Sequence, residues 1–158
     1  MPKSILAAIG LAASSDQIIA AAQEYAEAFS AKVYLVHVTE LVPKPQLSID
    51  ESSDPEFAPV EPVSFDRKDE ADRLRAEHRA LQDLKTKLSD AGIDATALLI
   101  EGATIEKLLL EIDRLHIDLV IIRSHSRSFL RDFFSGSTVK QVVRDARCPV
   151  LVLPPPSD

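Results

Sequence analysis

The chain has 158 residues, 46% of them hydrophobic, with 18 Lys and Arg against 25 Asp and Glu, a net charge of −7. That length fills one hydrophobic core and is short for two. The acidic balance argues against nucleic acid or an anionic membrane as partner, because both need a broad basic surface.

Short β-rich runs alternate with longer helical patterns. Ile5 to Ile9 is a continuous apolar run, as expected of a strand buried on both faces. Ser14 and Gln17 have capping-box form, and Ile18, Ile19, Ala22, Tyr25, Ala26 and Phe29 then mark one helical face. Val33 to Val38 reads as a second strand. Glu40 to Ser64 breaks the rhythm with Pro43, Pro45, Pro55, Pro59 and Pro62 among Asp50, Glu51, Asp54, Glu56 and Glu61. A loop this long is a solvated acidic segment or a lid over the strand ends.

From Phe65 to Ala91, Leu74, Leu81, Leu84 and Leu88 form a helical stripe in a charged background, with Gly92 suited to the position past the helix end. Ala95 to Ile100 is a third strand. After Gly102, Ile105, Leu108, Leu109, Ile112 and Leu115 stripe a third helix. Leu119 to Ile122 is a fourth strand, Val139, Val142, Val143 and Ala146 a fourth helix face, and Val150 to Leu153 a fifth strand. Strands alternating with helices predict a single α/β domain over 1–158 with a parallel sheet covered on both faces. In such sheets a ligand sits beyond the C-terminal strand ends, where strand order reverses.

Chemistry-bearing residues concentrate after the fourth strand. Arg123, Arg127, Arg131 and Lys140 lie close to the start of a helix at Gly136-Ser-Thr138. Helix N-termini expose unpaired N–H groups and a partial positive charge, so this is a candidate phosphate-facing edge. Ser124-His125-Ser126 is not a nucleophile elbow, since no Gly-x-Ser-x-Gly surrounds it and no acid is placed to orient the histidine. His37, His78, His116 and His125 show no metal-ligand spacing with one another or with Cys148, and His116 reads as a helix C-terminal residue. Phe129, Phe133 and Phe134 serve better as loop anchors or partner contacts than as base-stacking platforms in an acidic chain. The turn after the first strand, Gly10 to Ser15, lacks the Gly-x-Gly-x-x-Gly of a dinucleotide site.

The chain resembles the universal stress protein family. The residues that carry the likeness are Lys3 to Ile9, the Glu101-Gly102 step, Asp118 to Ile122 and Cys148 to Val152, in that order and spacing. The resemblance implies a three-layer, Rossmann-like (adenine nucleotide alpha hydrolase-like) fold with a five-stranded parallel sheet. Nucleotide-binding members share Gly, two residues, Gly, nine residues, Gly, then Ser or Thr; the matching positions here are Arg123, Ser126, Gly136 and Ser137. The spacing and the final pair survive, and both leading glycines do not. An acid that binding members tend to carry at the end of the first strand falls on Gly10.

The nucleotide-site positions implied by the resemblance are therefore Gly10, Arg123, Ser124, His125, Ser126, Arg127, Gly136, Ser137 and Thr138. A side chain at Arg123 fills space that glycine leaves open to a ligand. The departures favour a non-enzymatic stress-response or regulatory module with a degenerate site. The alternative is a member that binds ATP or another adenine nucleotide and hydrolyses it slowly, with arginines pairing to phosphate. The resemblance also implies a homodimer through Pro149 to Leu153, an edge strand that Pro154-Pro-Pro156 keeps from growing. No apolar run reaches the roughly 18 residues of a spanning helix. The lone Cys148 and the lack of a signal-peptide layout at Met1 to Leu6 lead to the expectation of a cytoplasmic protein.

Overall fold

A computed structural model describes residues 2–11, 15–39, 67–124 and 138–155. The elements in chain order are β1 (Ser4–Ala8), α1 (Asp16–Phe29), β2 (Lys32–Thr39), α2 (Arg67–Asp90), β3 (Ala95–Glu101), α3 (Thr104–Arg114), β4 (Leu119–Arg123), α4 (Thr138–Asp145) and β5 (Val150–Leu153). The strands form one parallel sheet in the order β3-β2-β1-β4-β5. The segment 40–64, expected as an acidic loop or lid, lies outside the described residues.

Strand alternation sorts the core into two layers. Ile5, Ala7, Val33, Leu35, Leu119 and Ile121 face α1 and α2, where Ile18, Ala22, Leu81 and Leu88 meet them. Leu6, Val36, Val120 and Ile122 face α3 and α4, against Leu108, Ile112, Val139 and Val142. β1 sits in the middle, and Ile5, Leu6 and Ala7 are each 0% exposed. Both faces of this strand are covered, so its sequence is apolar without a break rather than alternating.

The start of α1 differs from the expectation. Ser15, not Ser14, holds the N-cap position, and its side chain makes no capping bond. The carbonyl of Ser15 accepts the Ile19 N–H at 3.0 Å, which sets the first turn one residue later than a Ser14–Gln17 box requires. The first-turn carboxylate of Asp16 suits the positive end of the helix dipole.

Two helices end in the same double-bonded closure, and a third ends in the same left-handed conformation. After α2, Gly92 adopts φ 81°, its N–H donates to Ser89 O, and the Ile93 N–H donates to Leu88 O, each at 3.0 Å. After α3, His116 adopts φ 51°, with its N–H on Asp113 O and the Ile117 N–H on Ile112 O. Ser30 after α1 has φ 52°, and the Ala31 N–H donates to Ala26 O. A Schellman closure of this kind satisfies the last carbonyls of a helix and demands a left-handed residue, usually glycine. Serine and histidine adopt that conformation at a steric cost.

The same end of the sheet is tied by Asp118. Its Oδ2 accepts the N–H groups of Lys3 (2.9 Å) and Ser4 (3.1 Å), and the Ser4 hydroxyl lies 3.0 Å from it and 2.8 Å from His116 O. The hydrogen bond from the Lys3 backbone, followed by that from the Ser4 side chain, holds the Asp118 carboxyl below its usual range. A carboxyl lowered in the folded state contributes stability that is present at neutral pH and lost as pH falls through the folded value.

Two outcomes follow for this end of the molecule. Asp118→Asn should lower the melting temperature at pH 7, with the gap to the parent closing as the pH is lowered beyond the ordinary carboxylate range in a pH series of thermal melts. Ser30→Gly and His116→Gly should each stabilise the fold by roughly 0.5–1 kcal/mol, a rise of about 1–4 °C in Tm by calorimetry.

Candidate ligand cleft

Strand order reverses between β1 and β4: the chain runs outward from β1 through β2 to β3, then returns to place β4 on the other side. A cavity of about 250 Å³ opens there, beyond the C-terminal strand ends. Ligand pockets commonly measure about 300–1,000 Å³, so this one is small. Among the described residues its walls are mostly aliphatic, with Ile9, Ile18, Val36, Leu108, Ile122 and Val139 among them. The polar lining among the described residues comes from His37, Thr104 and Arg123, with Gly10 at the end of β1.

Each polar group is placed by the strand or helix that carries it. Arg123 closes β4 in register with Leu153, and only 5% of it is exposed. By alternation along β4 it shares the face of Leu119 and Ile121, on the side of α1. Ser124 follows it, buried, and its N–H donates to Leu153 O at 2.9 Å, which fixes the backbone leaving β4. Thr104 is the first residue of α3 and follows Ala103, an N-cap residue without a side-chain cap. Gly102 enables that entry: at φ 142° a side chain is strained, and Lys107 lies where a Cβ would project. The Gly102 N–H donates to the carbonyl of buried Thr39, joining the end of β2 to the start of α3.

His37 has a defined proton arrangement. Its Nδ1 is 2.7 Å from Ile9 O, and a carbonyl only accepts, so Nδ1 carries the proton. Its Nε2 lies 3.8 Å from Glu77 Oε2 on α2. Among the described residues no group of three or more His, Cys, Asp and Glu side chains is gathered to hold a metal ion. Burial pushes the Cys148 thiol up, and Asp118 and Asp113 add to it.

Of the site positions read from sequence, Gly10 and Arg123 line the cavity, Ser124 is buried beside it, and Thr138 begins α4. His125, Ser126, Arg127, Gly136 and Ser137 lie outside the described residues, as do Arg131 and the three loop phenylalanines. His37 and Thr104 were not legible as cleft residues. The only local signal for His37 was an imidazole interrupting an apolar strand two residues before its end.

A family model described as the universal stress protein family matches residues 1–154. The chain is 29% identical over 153 residues to a universal stress protein of Thermus aquaticus, covering 97% of this chain and 99% of that one. It superposes on a universal stress protein family structure from Burkholderia pseudomallei with a TM-score of 0.69, at 22% identity and 96% coverage of each chain. A universal stress protein of Archaeoglobus fulgidus, solved in complex with dAMP, gives a TM-score of 0.59 at 18% identity, covering 94% of this chain and 95% of that one.

Proposed function

Because this chain belongs to the universal stress protein family, we propose that it acts as a non-enzymatic regulatory module whose nucleotide cleft is degenerate. The observation that carries this reading is Arg123: a guanidinium 5% exposed on the wall of a cavity of about 250 Å³, at a position where binding members of the family leave a glycine. Gly10, across the cleft, has no side chain to hold a ribose or base. Recognition of a nucleoside triphosphate needs a close backbone approach that a long side chain blocks.

The competing reading is an ATP-binding member with slow hydrolysis, and the dAMP complex of the Archaeoglobus protein favours it at the level of the fold. There, arginine would pair with phosphate rather than exclude it. Calorimetric titration of the purified protein with ATP and magnesium separates the two. No saturable binding in the micromolar range is expected, and Arg123→Gly with Ser126→Gly should raise the affinity. Micromolar binding by the parent protein, lost on that double substitution, would make Arg123 a ligand contact and overturn the proposal.

The module is further proposed to work as a twofold dimer through β5. Among the described strands this four-residue strand pairs with β4 alone, and all four residues are partly exposed. An apolar edge of this kind presents unpaired backbone groups that a second copy satisfies, and the following prolines limit the ladder. No helix among the described residues is long and apolar enough to cross a membrane. Light scattering at micromolar concentration should give twice the 17.3 kDa of one chain; a single-chain mass contradicts the dimer.

A further inference from the structure

Helix α2 carries an acid in a place its own pattern reserves for an apolar residue. Leu74, Leu81, Leu84 and Leu88 recur at spacings that put them on one face of the helix, and Leu81 and Leu88 are fully buried in the core. Glu77 falls in the same stripe, three residues after Leu74 and four before Leu81. Its side chain is 21% exposed, and its Oε2 is buried with no hydrogen-bond partner among the described residues. A buried carboxylate oxygen without a donor is unfavourable, so a leucine here would stabilise the seam better. The acid therefore calls for an explanation beyond packing.

What it faces supplies one. Across the seam His37 Nε2 lies 3.8 Å from Glu77 Oε2, on a side chain only 13% exposed. The His37 Nδ1 proton is committed to Ile9 O at 2.7 Å. With the ring neutral, Nε2 presents a lone pair to a carboxylate that also has only lone pairs, and no hydrogen bond forms. The pair is one proton short. If the imidazole gains it, Nε2–H donates to Oε2; if the carboxyl gains it, O–H donates to Nε2. Either bond draws the two atoms from 3.8 Å to about 2.8 Å and ties α2 to the ends of β1 and β2.

We propose that Glu77, His37 and the Ile9 carbonyl form a proton-operated latch, in which uptake of one proton seats α2 against the β1–β2 edge of the cleft. His37 lines the cavity and Ile9 precedes Gly10, so the latch acts on the cleft wall whether or not a nucleotide enters. The described elements around His37 carry further charged side chains, most of them along α2. Glu101 on β3 stands diagonally across from it, since His37 pairs with Leu99. Arg123 on β4 lines the same cavity, Asp16 begins α1, and Arg73 lies one turn before Glu77 on α2. β1 carries none.

Amide hydrogen exchange of the full chain, read helix by helix, tests this with α1 as the internal reference. The comparison lowers the pH from about 8 to about 5.5. Over that range, protection of α2 should rise roughly tenfold relative to α1, the factor a single charge-assisted hydrogen bond supplies. Glu77→Gln provides the missing hydrogen without a proton, because its amide donates to the Nε2 lone pair. Its α2 protection should match the low-pH parent and be flat across the range. His37→Gln, which does not titrate, should also abolish the rise. Equal α2 protection of the parent at both pH values overturns the latch, and so does a rise that persists in either variant. Neither result bears on the ATP titration, so the two proposals stand or fall separately.

Discussion

Burial of β1 on both faces is the constraint from which the rest of the architecture follows. A strand whose Ile5, Leu6 and Ala7 are all inaccessible has helices above and below it and a strand on each side. With β2 on one flank and β4 on the other, the chain must leave β1 in one direction and return in the opposite one. The reversal leaves an opening at the C-terminal strand ends that neither helix layer covers. The cleft is thus a by-product of how the core is closed, and its aliphatic walls are the ends of the same core residues.

The two ends of the sheet are built for different purposes. At the N-terminal strand end the chain is fastened: left-handed residues close α1, α2 and α3, and Asp118 gathers the N–H groups of Lys3 and Ser4. Satisfied helix carbonyls and a shared carboxylate make this end a fixed base. At the other end the described lining of the cavity sets two charged or chargeable side chains, Arg123 and His37, among aliphatic ones. Groups of that kind are costly to bury unless they are paired.

The fold is that of the universal stress proteins over almost the whole chain, and the described cleft lining combines a guanidinium, an imidazole tied to a main-chain carbonyl and a glycine at the end of β1. The scaffold sets where a ligand would go, and the side chains set which ligand, if any.

Local periodicity determined the element order, the parallel sheet, the two-sided strands and the core faces of α1 and α3. These depend on which residues avoid water, and the sequence displays that directly. It also located Gly10 and Arg123 at the strand ends, because a strand end is a break in an apolar run. It misplaced the start of α1 at Ser14, since two serines in succession offer the same cap and only the packed helix chooses between them. Left-handed closures at Ser30 and His116 were invisible for a related reason: tertiary packing imposes a conformation that these residue types do not favour on their own. The pairing of Glu77 with His37 was decided by the fold alone, because the two residues stand 40 positions apart in the chain. Only docking α2 onto β2 brings a misfit acid in one helix stripe to face the one imidazole in the strand beneath it.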